Sequence, residues 1–378
     1  MRVLHFYKTY KPDSMGGVEE LIGQICSGAA KRGVTSDVLT VSDDTSTVDF
    51  GDHVHYRAKL DVEIASSAFS MAAFKRFSEL ARNADLIHYH FPWPFADVVH
   101  FATRMHKPSI VTYHSDIVRQ KFLLQLYRPL RDRFLASVDR IVATSPNYLA
   151  TSDVLQRFKD KVEVIPIGLD PNSYPAPSEA KLKYWRERIG PKFFLFVGNL
   201  RYYKGLHILL DALQGTDFRT VIVGAGPVEN ELRQQAARLK LNNVEFVGPV
   251  GDDDKIALLK LCHALTFPSH LRSEAFGISL LEGAMFGKAL ITAEIGTGTS
   301  YVNVDGETGL VVPAEDVGAL REAMGKVWGD EGLANRLGTN GRSRFETLFT
   351  AAKMVEGYLD LYAAVAQSAL GKRGSGGA

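Results

Sequence analysis

Gly168-Leu-Asp-Pro-Asn-Ser-Tyr-Pro-Ala-Pro-Ser178, followed by Pro191-Lys-Phe-Phe-Leu-Phe-Val-Gly-Asn199, divides this chain in two. Proline fixes φ and removes a backbone donor, so Pro171, Pro175 and Pro177 bar any long element from crossing Gly168 to Pro191. On either side runs the same rhythm. A short apolar run rich in β-branched and aromatic residues leads into a turn marked by Gly, Ser or Asp, then into a stretch with helical spacing. Such alternation indicates βαβ units on a parallel sheet.

Before the break the strand candidates are Arg2–Tyr7, Ser36–Val41, Leu86–His90, Ser109–Tyr113, Arg140–Thr144 and Val162–Pro166, with helices at about Val18–Arg32, Phe74–Arg82, Pro94–Met105 and Leu123–Ala136. After it come Phe193–Val197, Thr220–Val223, Val244–Phe246, Ala264–Pro268, Ala289–Thr292 and Gly309–Val312, with helices between. The pattern predicts an α/β protein: a Rossmann-like domain over 1–168, a linker over 169–191 and a second Rossmann-like domain over 192–350. Met354, Tyr358, Leu361 and Val365 recur at spacings of three or four, so about 351–370 reads as an amphipathic helix returning to the first domain. Residues 371–378 have nothing to bury and read as a flexible tail. Doubly wound sheets bind ligands at the carboxyl ends of their strands, so the two domains are expected to face each other across a cleft that holds the chemistry.

With 378 residues the chain is too long for one ordinary core, and 46% hydrophobic with 23% charged residues excludes disorder, collagen and coiled coil. No apolar run reaches the roughly 18 residues of a membrane span, and the first residues are too short an apolar stretch for a signal peptide. Cys26 and Cys262 lie far apart in apolar surroundings, which fits a reducing compartment. A net charge of +1 argues against nucleic acid as a partner. One stretch departs from that balance: Arg104 to Arg140 holds eight Lys/Arg, among them Arg119, Lys121, Arg128 and Arg131, against three acids. Interleaved with Phe122, Leu123, Leu124, Leu126, Tyr127 and Leu130, these bases suit an anionic lipid surface or a lipid diphosphate.

The strongest chemical signal is Ser273-Glu-Ala-Phe-Gly-Ile-Ser-Leu-Leu-Glu282. Gly277 can open a helix whose free N–H groups point back at the loop, a ready anion site, with Glu274 just before it and Glu282 inside it. In Phe196-Val-Gly-Asn-Leu-Arg-Tyr-Tyr-Lys-Gly205 a strand runs into a glycine turn carrying Arg201 and Lys204. A planar fork and a movable point charge complement different oxygens of one diphosphate. Gly16 and Gly17, between the first strand and first helix, allow backbone amides to approach a phosphate or sugar. His114 closes the apolar strand Ser109–Tyr113 and so stands at a strand end rather than in a core. His88 and His90 alternate along one strand, but no third ligand at sensible spacing accompanies them, and no metal site is expected. Asp252-Asp-Asp254 reads as acids at a helix N-terminus. Val223-Gly-Ala-Gly-Pro-Val-Glu229 has an acid in the third glycine position of a dinucleotide fingerprint, which argues against nicotinamide.

Taken together, the Glu-seven-Glu element and the upstream Arg/Lys turn resemble the retaining glycosyltransferases of family four, over nearly the whole chain. More narrowly, Tyr113-His-Ser-Asp-Ile-Val-Arg-Gln-Lys121, Arg201-Tyr-Tyr-Lys-Gly205 and Pro268-Ser-His-Leu-Arg-Ser-Glu-Ala-Phe-Gly277 are similar to bacterial O-antigen mannosyl- and D-rhamnosyltransferases. The resemblance implies the GT-B fold and transfer of mannose or D-rhamnose from a GDP-sugar to an N-acetylglucosamine-diphospho-undecaprenol acceptor, without metal or other cofactor. It implies an enzyme in the cytoplasm, peripheral at the inner face of the bacterial inner membrane. By the same resemblance His114, Glu274, Lys204 and Arg201 are catalytic; Glu274 and His114 hold the donor sugar, Glu282 the ribose, and Arg201 and Lys204 the diphosphate. Gly16, Gly17, Phe276, Gly277 and Ile278 line the donor site, while Arg119, Lys121, Arg128 and Arg131 face acceptor or membrane. Asn199, Ala275 and Thr299-Ser300 stand where relatives often carry Arg, Gly and Glu. A UDP-sugar transferase, a nucleotide-sugar epimerase and a non-catalytic sugar-nucleotide or lipid-surface binding protein are the alternatives.

Overall fold

The structure, a computed structural model, describes residues 1–14, 16–64, 67–117 and 121–374. The chain forms two units: residues 1–168 joined by 351 onward, and residues 169–350.

In the first unit β1 (Arg2–Phe6), β2 (Thr35–Ser42), β3 (Val48–Asp49) and β4 (His53–Lys59) lead to a separate hairpin of β5 (Val62–Ile64) and β6 (Ser67–Phe69). Then follow β7 (Leu86–Phe91), β8 (Ser109–Tyr113), β9 (Arg140–Ala143) and β10 (Val162–Val164). The sheet order is β10-β9-β8-β7-β1-β2-β4-β3, parallel throughout except for β3. Helices α1 (Gly17–Ala30), α2 (Met71–Asn83), α3 (Pro94–Thr103), α4 (Lys121–Ser137), α5 (Pro146–Thr151) and α6 (Asp153–Arg157) make the connections. The central strands β7 and β8 are buried at every position, as strands covered on both faces must be. β4 pairs with β2 along its whole length although sequence reading assigned nothing between Val41 and Phe74. Its alternating His53, His55 and Arg57 mask the apolar signal.

The second unit opens with α7 (Glu179–Ile189), inside the segment expected to be a linker. That expectation is corrected by local chemistry. The prolines stop at Pro177, Ser178 Oγ accepts the Lys181 N–H at 3.3 Å, and Glu179 and Arg188 suit the two helix ends. The remaining elements are β11 (Phe194–Val197), α8 (Leu206–Leu213), β12 (Thr220–Val223), α9 (Glu229–Arg238), β13 (Val244–Gly248), α10 (Asp252–Leu261), β14 (Ala264–Phe267), α11 (Ile278–Met285), β15 (Ala289–Glu294), α12 (Thr299–Val302), β16 (Gly309–Pro313), α13 (Val317–Gly329) and α14 (Glu331–Leu348). Asp254, on α10, accepts from Lys181 (2.7 Å) and from Trp185 Nε1 (2.9 Å), clamping α7 to α10. The six strands are parallel in the order β13-β12-β11-β14-β15-β16.

Finally α15 (Ala351–Gly374) packs on α1 in the first unit, sealed by buried Met354, Tyr358, Leu361, Tyr362 and Val365. Helix continues through Gly374, so the tail expected from 371 does not start there; residues 375–378 lie outside the described residues.

Candidate active site

Strand order reverses between β11 and β14 in the second unit, and ligands of doubly wound sheets bind at such a point. The two loops that leave this point carry the main motifs. After β11 the chain turns through Gly198 and a 3-10 turn over Tyr202–Lys204 into α8. After β14 it runs through Pro268-Ser-His to Gly277, which starts α11 from φ 90°, a region open to glycine. The His270 N–H donates to the Tyr203 carbonyl at 3.0 Å and ties the loops together.

This brings Lys204 and Glu274 into direct contact. The ammonium pairs with Glu274 Oε2, which also accepts from Ser269 Oγ at 3.3 Å, and Lys204 Nζ sits 4.6 Å from the centre of the Phe267 ring. Lys204 is 9% and Glu274 8% exposed, so both charges are largely stripped of water and compensated chiefly by each other. Burial, with the Glu274 charge second, pushes the Tyr203 phenol up to about 12. Ser269 and Tyr203 went unnoticed in the sequence, since neither residue type is distinctive in a loop.

Gly205 is the wedge that lets the loops meet. At φ 69° it faces the Pro268 carbonyl, and a Cβ there would lie 1.9 Å from that oxygen. Gly205→Ala is therefore expected to cost about 1–3 kcal/mol from the backbone region alone, with the overlap adding to it. An urea midpoint for the second unit equal to wild type would contradict this packing.

Glu282, 4% exposed inside α11, accepts from Lys255 Nζ at 2.9 Å and from the Tyr174 hydroxyl at 3.1 Å. Burial works against the Lys255 charge, but Glu282 and then Asp252 outweigh it, and the net shift is upward. A carboxylate offers about four lone-pair sites, so these partners leave acceptor capacity for a diol. Lys255 and Tyr174 are further residues missed by sequence reading, being 27 and 108 positions from Glu282. Ile278 is half-buried at the helix start, whereas the Phe276 ring is buried and stands edge-on to Phe349 at 6.1 Å. The Phe276 ring is thus packed into the protein rather than lining the loop surface.

Arg201 is not brought into the Lys204–Glu274 pair. It is exposed and lines a pocket of about 360 Å³ with Leu206, His207, Glu231, Arg238 and His270, a lining that includes neither Lys204 nor Glu274. The 3-10 turn separates the two cations.

In the first unit His114, 8% exposed, follows β8, with Nε2 3.1 Å from His90 Nδ1. Burial pushes its imidazole down to about 3, so it is neutral at physiological pH. Asp116 beside it accepts from Tyr113 (2.8 Å) and Ser152 (2.9 Å), which fixes the turn. His5, across the sheet from His88, supplies the third imidazole that linear spacing could not reveal. The two nitrogens of His88 are 2.8 Å from the Tyr362 hydroxyl and 2.7 Å from that of Thr112, so this ring already has hydrogen-bond partners on both sides.

Gly16 and Gly17 are exposed at the start of α1, and a Cβ on Gly16 would lie 2.5 Å from Glu19 Oε2. Glu19, 6% exposed and held by Thr9 Oγ1 at 2.8 Å, is the anion that this helix start actually meets. The lipid-facing assignment needs a larger correction. Arg131 is 5% exposed and pairs with Asp132 at 2.7 Å, because it falls on the same face of α4 as buried Phe134 and Leu135. Arg128 is exposed on α4, as are Leu126 and Arg133. Arg119 lies outside the described residues, as does the side chain of Lys121.

Residues 178–344 match the family described as glycosyl transferases group 1, and residues 15–173 match glycosyltransferase family 4. The chain is 60% identical to D-rhamnosyltransferase WbpZ of Pseudomonas aeruginosa over 93% of both chains. It is 52% identical to O-antigen chain mannosyltransferase C of Escherichia coli over 97% of this chain and 100% of that one. Among solved structures, sucrose-phosphate synthase from Thermosynechococcus elongatus superposes with a TM-score of 0.79 at 22% identity, covering 96% of this chain and 99% of the other.

Proposed function

Because the chain belongs to the family 4 and group 1 glycosyltransferases, we propose that it moves a mannose-type sugar, mannose or D-rhamnose, from its GDP-linked form to a lipid-linked acceptor with retention at the anomeric carbon. The observation that carries this reading is the buried Lys204–Glu274 pair beside the α11 start, at the reversal point of the second sheet. Loss of a nucleoside diphosphate leaves an oxocarbenium-like sugar, and the barrier falls when fixed donors stabilise the departing charge more than the bound donor. Lys204 and the first amides of α11 supply such donors, while Arg201 lines a separate pocket and is not among them. In this scheme no resident metal is required. Glu274 accepts hydrogen bonds from the sugar, Glu282 from the ribose, and His114 contributes an imidazole to the sugar. The departing phosphate oxygen takes the acceptor proton on the face it leaves, which gives retention.

The acceptor in this reading is a polyprenyl diphosphate bearing N-acetylglucosamine, met at the inner face of the inner membrane. Exposed Leu126, Arg128 and Arg133 on α4 suit such a surface. Among the described residues no helix is long and apolar enough to cross a membrane. The test is incubation with GDP-mannose, GDP-rhamnose and UDP-sugars separately, each with a lipid-linked N-acetylglucosamine acceptor. Transfer from one of the GDP-sugars and not from UDP-sugars is expected; transfer confined to a UDP-sugar would overturn the donor assignment, and no transfer from any donor would favour a binding protein.

A further inference from the structure

Three imidazoles stand in a hydrogen-bonded row inside the first sheet. His5 Nδ1 lies 3.1 Å from His90 Nε2, and His90 Nδ1 lies 3.1 Å from His114 Nε2. Adjacency of β1, β7 and β8 creates the row, since His5, His90 and the residue after Tyr113 fall on neighbouring strand ends. His88, stacked on His90 at 4.2 Å between ring centres, holds the middle ring in orientation.

We infer that His5 and His90 select the tautomer of His114, so that His114 presents an N–H at Nδ1. A neutral imidazole carries one N–H and one lone pair, so a row of three allows two arrangements only. Burial keeps all three rings neutral, lowering His5 and His114 to about 3 and His90 well below its ordinary value. With every N–H directed from His5 toward His114, the row ends in a bare lone pair at His5 Nε2 and an N–H at His114 Nδ1. The reverse arrangement leaves an N–H at His5 Nε2. That atom is fully buried with no hydrogen-bond partner among the described residues, and orphaned buried donors are the rarer defect. The first arrangement is therefore the stable one. His5 and His90 are positioning residues: they turn His114 into a fixed donor for an oxygen of the transferred sugar, which rests on the reading above that His114 touches that sugar.

Ring 15N spectra of the full-length protein test this directly. Expected for His114 is a pyrrole-like Nδ1 and a pyridine-like Nε2; the opposite assignment overturns the inference, whatever the activity. In His90→Phe the donor to His114 Nε2 is gone and the ring loses its orienting partner, with kcat expected lower on the order of tenfold, the usual scale for such a partner. An unchanged kcat in a folded His90→Phe would overturn the positioning role; if that variant does not fold, the wild-type spectrum alone decides. His114→Ala with full turnover, alongside the expected wild-type spectrum, would sink the sugar contact while leaving the tautomer selection intact.

Discussion

Lys204→Ala is expected to lower turnover by roughly 10²–10³, the usual cost of deleting one donor aimed at departing charge. Lys204 is buried, packed over the Phe267 ring and against Glu274, so neither water nor a neighbouring side chain readily takes over its position. The same change leaves Glu274 buried without its partner, which costs about 3–5 kcal/mol of stability in comparable pairs. Lost activity must therefore be separated from lost fold. Lys204→Met combined with Glu274→Gln removes both charges, and is expected to recover most of the stability while remaining inactive. Steady-state rates and urea midpoints for the single and double variants give both quantities. Full turnover in a folded Lys204→Ala protein would show that this ammonium does not meet the diphosphate.

Acid is expected to unfold the first unit well before the second. Burial lowers His5 and His114 from about 6.5 to about 3, and also lowers His88 and His90 well below the ordinary value. Above pH 6.5 these rings are neutral in both folded and unfolded chains, so stability does not change. Below it the unfolded chain takes up protons that the folded one refuses until about pH 3, so stability falls as pH drops through that window. From pH 7 to pH 5 the loss is about 2 kcal/mol each for His5 and His114, with His88 and His90 adding to it. Set against a net stability of about 5–15 kcal/mol, this is a large fraction. Urea melts at pH 7 and pH 5, followed by a probe in each unit, are expected to show the first unit's midpoint collapsing. Equal midpoints at the two pH values would contradict the buried neutral row.

Strands such as Ser109–Tyr113 and Thr220–Val223 are legible in the sequence residue for residue, because a strand covered on both faces must be apolar throughout and its turn must break that run. Sequence motifs assign Lys204 and Glu274 to one donor site, but their direct pairing follows only from the adjacency of β11 and β14 in the sheet. What linear reading could not supply is cross-strand partnership. His5 and His88 are opposite one another in the sheet, yet 83 positions of chain separate them, and without that neighbour His90 looked like half of an incomplete metal site. Arg131 failed for a different reason. Counting charges along α4 ignores which face each side chain takes, although Tyr127, Arg131 and Phe134 share one stripe at helical spacing. In the segment after Gly168, proline density hid a helix whose start signal, Ser178 followed by Glu179, begins one residue after the last proline.

Equilibrium titration of the intact protein with GDP and with GMP, for wild type and for the Lys204→Met, Glu274→Gln protein, tests the diphosphate grip most directly. Wild type is expected to bind GDP at least tenfold more tightly than GMP, and the double variant to lose that preference while still binding GMP. A GDP preference that survives intact in the folded double variant would contradict the account.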